Sequence, residues 1–100
     1  MPLSGKQRRY LRGLGHNLEP IVQIGKLGLT DAVTSAVDAA LHEHELIKVR
    51  IGTECPDDRH DISERLAPAV KSEVAQVLGR TLLLWRKRPK DSKIQLPKDA

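Results

Sequence analysis

Phenylalanine is absent from this 100-residue chain, and tyrosine and tryptophan occur once each, as Tyr10 and Trp85. The core therefore has to be aliphatic, built from Leu, Ile, Val and Ala. A lone cysteine, Cys55, cannot form an internal disulfide, which excludes a secreted disulfide scaffold. No apolar run approaches the ~18–20 residues of a membrane-spanning helix. The N-terminal stretch is basic, but no apolar signal-peptide segment follows it. What remains, with 39% apolar and 30% charged residues, is the composition of one small globular domain, expected to be soluble and cytoplasmic.

Charge is not spread evenly. The formal total is +4, but residues 1–30 carry +4, residues 31–78 carry −5 and residues 79–100 carry +5. Two basic ends around an acidic middle point to a polyanionic partner, against the plainer reading that charge serves solubility.

Hydrophobic periodicity predicts seven elements. Ser4 can cap a first helix over about Ser4 to Gly15, with Leu11, Leu14 and Leu18 at helical spacing. The β-branched run Pro20 to Ile24 reads as a buried strand. Thr30 can cap a second helix whose stripe is Leu29, Val33, Ala36, Val37, Ala40 and Leu41, ending near His44. From Leu46 to Ile51 the chain alternates, with Ile47, Val49 and Ile51 on one side and Lys48 and Arg50 on the other, as in a half-buried strand.

Cys55-Pro56-Asp57-Asp58 reads as a third helix start, with Pro56 at the first helical position, and Pro68 should kink or end that helix. Val74 to Leu78 and Thr81 to Arg86 flank Gly79-Arg80, a hairpin whose second strand is apolar on both faces and belongs inside the sheet. The order α-β-α-β-α-β-β predicts a two-layer α/β (α+β) sandwich with a mixed four-stranded sheet, its first two strands parallel and its last two antiparallel. Residues 1–88 form the expected domain, and 89–100 a basic tail, extended or mobile.

The most informative segment is Gly25-Lys26-Leu27-Gly28, between a strand and a helix start. Glycines let backbone approach a ligand, the helix start offers free N–H groups and a positive dipole end, and Lys26 adds a cation. Loops of this GxxG kind clamp nucleic-acid backbone; the alternative is an ordinary turn. Neither a Walker loop nor a GxGxxG dinucleotide motif is present. Lys6, Arg8, Arg9 and Arg12 place four cations on the first helix, with Lys48, Arg50 and Arg86 further along. A solvated face explains any one cluster; their number favours a polyanion site.

Catalytic and metal readings are poorer. His42, His44, Cys55 and His60 lack zinc-finger spacing. Asp57, Asp58, Asp61 and Glu64 could hold a divalent ion, but acids at a helix start are ordinary dipole complements. There is no GxSxG elbow. No catalytic residue, metal or cofactor is expected.

The segment Pro20-Ile21-Val22-Gln23-Ile24-Gly25-Lys26-Leu27-Gly28-Leu29-Thr30, after a basic helix, resembles the start of CRM domains. These are the RNA-binding modules of bacterial YhbY-type proteins and plant chloroplast splicing factors. His44 to Val49, Gln76 to Arg86 and Lys93 to Pro97 extend the resemblance over nearly the whole chain. It implies a fold like the C-terminal domain of the third bacterial translation initiation factor, with the final strand inside a mixed sheet. It also implies RNA binding without catalysis, and association with precursors of the large ribosomal subunit. The family's loop maps onto Gly25, Lys26, Leu27 and Gly28. Leu27 departs from the small or polar residue usual there, and Trp85 from a frequent Tyr.

The sequence thus predicts a monomeric RNA-binding accessory factor, acting on ribosomal RNA without membrane or small-molecule substrate. Its expected site is Lys6, Arg8, Arg9, Arg12, Gly25, Lys26, Leu27, Gly28, Lys48, Arg50 and Arg86. With so few aromatics, structured RNA read by shape and backbone is the expected ligand. The alternatives are a protein-interaction module of the ribosome, using the acidic third helix, and a small metal-dependent enzyme.

Overall fold

Ser4 and Gln7 set the start of the first helix, α1 (Gly5–Gly15): each side chain accepts from the other's backbone N–H at 3.1 Å. This reciprocal pair satisfies two otherwise unpaired donors. The structure, a computed structural model, describes residues 3–88 and 92–97. After α1 come β1 (Pro20–Ile24), α2 (Asp31–His44), β2 (Leu46–Ile51), α3 (Arg59–Ala69), β3 (Glu73–Leu78) and β4 (Thr81–Trp85). Among the described residues no helix is long and apolar enough to cross a membrane.

The strand order is β1-β2-β4-β3, with β1 parallel to β2 and the other pairs antiparallel. The final strand is internal, as the two-sided apolar run Leu82 to Leu84 requires. Ile47, Val49 and Ile51 of β2, with Leu82 and Leu84 of β4, face α2 and α3 and pack on Val37, Leu41, Ile62 and Leu66. This is the expected sandwich core. The opposite sheet face is also covered in part: Leu46, Ala75 and Leu83 pack under Leu3 and Leu11, so α1 lies across the sheet from α2 and α3. Gly15 makes that approach feasible, because a Cβ there would come within 2.8 Å of the Leu83 side chain.

One boundary differs from the sequence reading. The third helix begins at Arg59, not beside Pro56, and Asp58 is its cap, its carboxylate accepting from the His60 N–H at 3.0 Å. The residues before it form their own turn, with the Cys55 N–H donating to the Gly52 carbonyl at 3.1 Å. A capping carboxylate outweighs a proline that merely tolerates a first turn. Pro68 does mark the helix end, one residue before the last.

Of the tail expected over 89–100, only residues 92–97 are described, and 89–91 and 98–100 lie outside the described residues. Residues 92–97 are docked, with Ile94 and Leu96 packed on the α1-side cluster. Glu45, 1% exposed, receives them: its carboxylate accepts from the Ser92 hydroxyl at 2.8 Å and the Lys93 N–H at 2.7 Å. The Gln7 amide donates to the Pro97 carbonyl at 3.1 Å. A buried carboxylate needs such partners, and the tail supplies them.

Candidate nucleic-acid interface

The topology places three connections at one end of the sheet. The β1–α2 loop, the β2–α3 connection and the β3–β4 turn all leave that end, because β1, β2 and β3 run in the same direction. The first is the Gly25–Gly28 loop, closed as a tight turn by the Gly28 N–H donating to the Gly25 carbonyl at 3.0 Å. Gly25, Lys26 and Leu27 are exposed and Gly28 is buried. Leu27 is 79% exposed, so it does not pack on the domain.

Gly28 is constrained twice. Its φ is +71°, a region that L side chains rarely adopt. A Cβ there would also stand 2.6 Å from Asp57 Oδ2. Asp57 is in turn held by Arg65, whose Nη2 lies 3.0 Å from the same oxygen while its Nε reaches Asp61 Oδ2 at 3.2 Å. The loop's inner edge therefore rests on a carboxylate that α3 fixes in place. At the loop's other end Thr30 caps α2, accepting from the Val33 N–H at 3.1 Å.

Of the other cations, Arg50, Arg80 and Arg59 stand at or beside this end of the sheet. Arg50 is exposed on β2, on the sheet face that α1 shares and at the loop end. Arg80, in the β3–β4 turn, is exposed and donates to the Gly52 carbonyl at 3.3 Å, which ties it to the β2–α3 connection. Arg59 donates to the Gly79 carbonyl at 3.0 Å beside it. Arg80 joins the expected basic group, as its place in a two-residue turn signals; Arg59 gave no signal beyond its position near a helix start.

Lys6, Arg8, Arg9 and Arg12 are exposed along α1, and among the described residues none of them is in an ion pair. Lys48 is half-buried beneath the end of α1, its Nζ 3.5 Å from the His16 carbonyl, where a cation meets the negative end of the helix dipole.

Arg86 departs from the expected grouping. It follows β4 at the far end of the sheet from the loop and faces α2. Its guanidinium pairs with Asp38 Oδ1 at 2.6 Å, and donates to the Val70 carbonyl at 2.8 Å and the Asp38 carbonyl at 3.0 Å. With its fork filled by the protein's own acceptors and its side chain 22% exposed, Arg86 ties β4 to α2 and the end of α3.

The resulting surface is polarised. The α1 sequence carries four Lys/Arg and no acid, while α2 carries Asp31, Asp38 and Glu43 and no Lys or Arg. These helices lie on opposite sheet faces, so the cations of α1 and the acids of α2 are kept apart, while the loop end carries both signs, with Asp57 and Asp58 beside Arg80. Among the described residues, no group of three or more His, Cys, Asp or Glu side chains is placed to hold a metal ion.

Comparison with known proteins follows the same outline. The CRS1/YhbY (CRM) domain model matches residues 3–86. A Bacillus subtilis protein named a probable RNA-binding protein is 38% identical over 95% of this chain and 99% of its own length. A Haemophilus influenzae protein named an RNA-binding protein is 38% identical over 96% of each chain. Neither name describes an enzyme. The solution structure of a hypothetical Staphylococcus aureus protein, itself suggested to bind RNA, superposes with a TM-score of 0.82 at 41% identity, covering 95% of this chain and 99% of that one.

Proposed function

This chain belongs to the CRM domain family, and from that premise we propose that it is an RNA-binding accessory factor of large ribosomal subunit assembly. It works as a cytoplasmic monomer, without cofactor or catalysis, on ribosomal RNA in subunit precursors. The observation that carries this reading is the exposed Gly25-Lys26-Leu27 segment on a rigid base, at the sheet end that also bears Arg50 and Arg80.

In this mechanism a phosphate approaches the backbone at Gly25, where a Cβ would meet nothing within 4 Å. Lys26 closes over it, and the four α1 cations attract the RNA at longer range. Both effects are electrostatic, so affinity falls with salt, with a log–log slope of about −0.7 per phosphate neutralised on a single strand. Without paired aromatics, binding depends on backbone and shape more than on stacking.

Crosslinking in cells followed by sequencing of the attached RNA tests the assignment. Large-subunit ribosomal RNA is the expected enrichment; messenger or transfer RNA in its place would overturn the assembly role. Charge reversal at Lys6, Arg8, Arg9 and Lys26 tests the clamp itself. Unchanged RNA affinity at low salt would shift the reading to a protein-interaction module presenting its acidic helices.

A further inference from the structure

Four residues line up across the sheet end that carries the loop. Gln23 is paired with Arg50, Arg50 with Thr81, and Thr81 with Leu78. Their strand neighbours Val22, Ile24, Val49, Ile51, Val77 and Leu82 point into the core under α2 and α3. The four therefore point to the α1 face. The helix covers the next row, where Gly15 meets Leu83, and leaves this one open. Gln23 and Arg50 are exposed, Thr81 is half-buried and Leu78 is 66% exposed.

Strands about 4.8 Å apart make the row about 14 Å long. A depression of about 390 Å³ opens over its β1 end, lined in part by Gln23, Arg50, Ile21 and Glu19. Gln23 stands two residues before the loop whose tip is Leu27, and Leu78 stands two residues before Arg80.

The chemistry of the row indicates what lies on it. Arg50 suits phosphate, and Gln23 and Thr81 can hydrogen-bond to sugars or base edges. Leucines gain nothing from phosphate oxygens; they gain only by covering an apolar face. In an uninterrupted A-form duplex the base faces are stacked away, whereas unpaired nucleotides present theirs.

We propose that this row seats a short unpaired RNA segment, running across the strand ends from the Gly25–Gly28 loop to the β3–β4 turn. Leu27 and Leu78 each cover a base or ribose face at its two ends, and Arg50 holds the phosphate between them. The proposal rests on the RNA-binding reading and narrows it to RNA whose duplex is interrupted by unpaired nucleotides.

The test compares a hairpin carrying a short bulge with the same hairpin lacking it, titrated at fixed low salt against wild type, Leu27→Ala, Leu78→Ala and Lys26→Glu. Both leucines are exposed, so their variants fold, and thermal melting checks this. Wild type should prefer the bulged hairpin. Each leucine variant should lose roughly three- to tenfold on it, and distinctly less on the uninterrupted stem, while Lys26→Glu weakens both.

Equal wild-type affinity for the two hairpins would overturn the row. So would leucine variants that bind the bulged hairpin like wild type, or that weaken both RNAs alike. If Lys26→Glu still weakens binding in those cases, the RNA-binding reading survives. A wild-type protein that binds neither hairpin overturns both.

Discussion

Substituting Gly28 with alanine probes the base of the loop, and two separable costs can be worked from its geometry. At φ +71° an L residue costs about 1–2 kcal/mol more than glycine. The added Cβ, 2.6 Å from Asp57 Oδ2, must also push that carboxylate from its place 3.0 Å from Arg65. That pair is partly exposed and its loss costs at most about 1 kcal/mol. Gly28→Ala should therefore destabilise the domain by about 1–3 kcal/mol, and lower its melting temperature by about 4–8 °C for each of those kcal/mol.

The two costs part in a double-mutant cycle. In an Asp57→Ala background the collision is gone, and only the conformational cost of about 1–2 kcal/mol remains. Urea unfolding of the four proteins measures this. A Gly28→Ala change within about 0.5 kcal/mol of wild type, or an equal cost in both backgrounds, would refute the account of how the loop is seated.

Other substitutions test separate links. Arg86→Ala leaves Asp38 and the Val70 carbonyl without their partner, so it should cost about 1–3 kcal/mol in chemical unfolding while changing RNA affinity little; the opposite pattern would return Arg86 to the binding surface. Glu45→Ala removes the acceptor of Ser92 and Lys93. It should release residues 92–97, seen as faster proteolysis there and a shifted emission of Trp85, the chain's single tryptophan; unchanged emission and proteolysis would mean that Glu45 does not hold the tail. Asp58→Ala should cost about 0.5–2 kcal/mol as a lost helix cap, whereas Pro56→Ala should cost less if the helix begins where the structure has it. Reversing the four α1 cations should flatten the salt dependence of RNA binding in a filter or anisotropy titration, and an unchanged slope would remove α1 from the interface.

Local rules carried the element reading a long way. Ser4 and Thr30 were recognisable as caps because a cap is a contact over three residues. The alternation in β2 and the two-sided β4 were recognisable because burial repeats with the strand's own period. The same rules misplaced the third helix start, where Pro56 and Asp58 both carry helix-start signals and only the turn closed by Gly52 and Cys55 decides between them. Leu27 could be noticed as an unusual loop residue, but its exposure depends on what the α3 connection does beside Gly28.

The sequence by itself determined the aliphatic core, the seven elements in order, the Gly25–Gly28 turn ahead of a capped helix, and the charge asymmetry between ends and middle. Only the tertiary structure decided that α1 crosses the sheet on the face away from α2 and α3, that Gln23, Arg50, Thr81 and Leu78 form an open row, and that residues 92–97 dock on Glu45. It also decided which cations are free. Arg86 and Arg50 look alike as residues, yet Arg86 meets Asp38, 48 residues earlier, and Arg50 is left to solvent. Periodicity and capping act over a few residues and are written in the chain, whereas a side chain's partner is settled by segments that meet only when the sheet has formed.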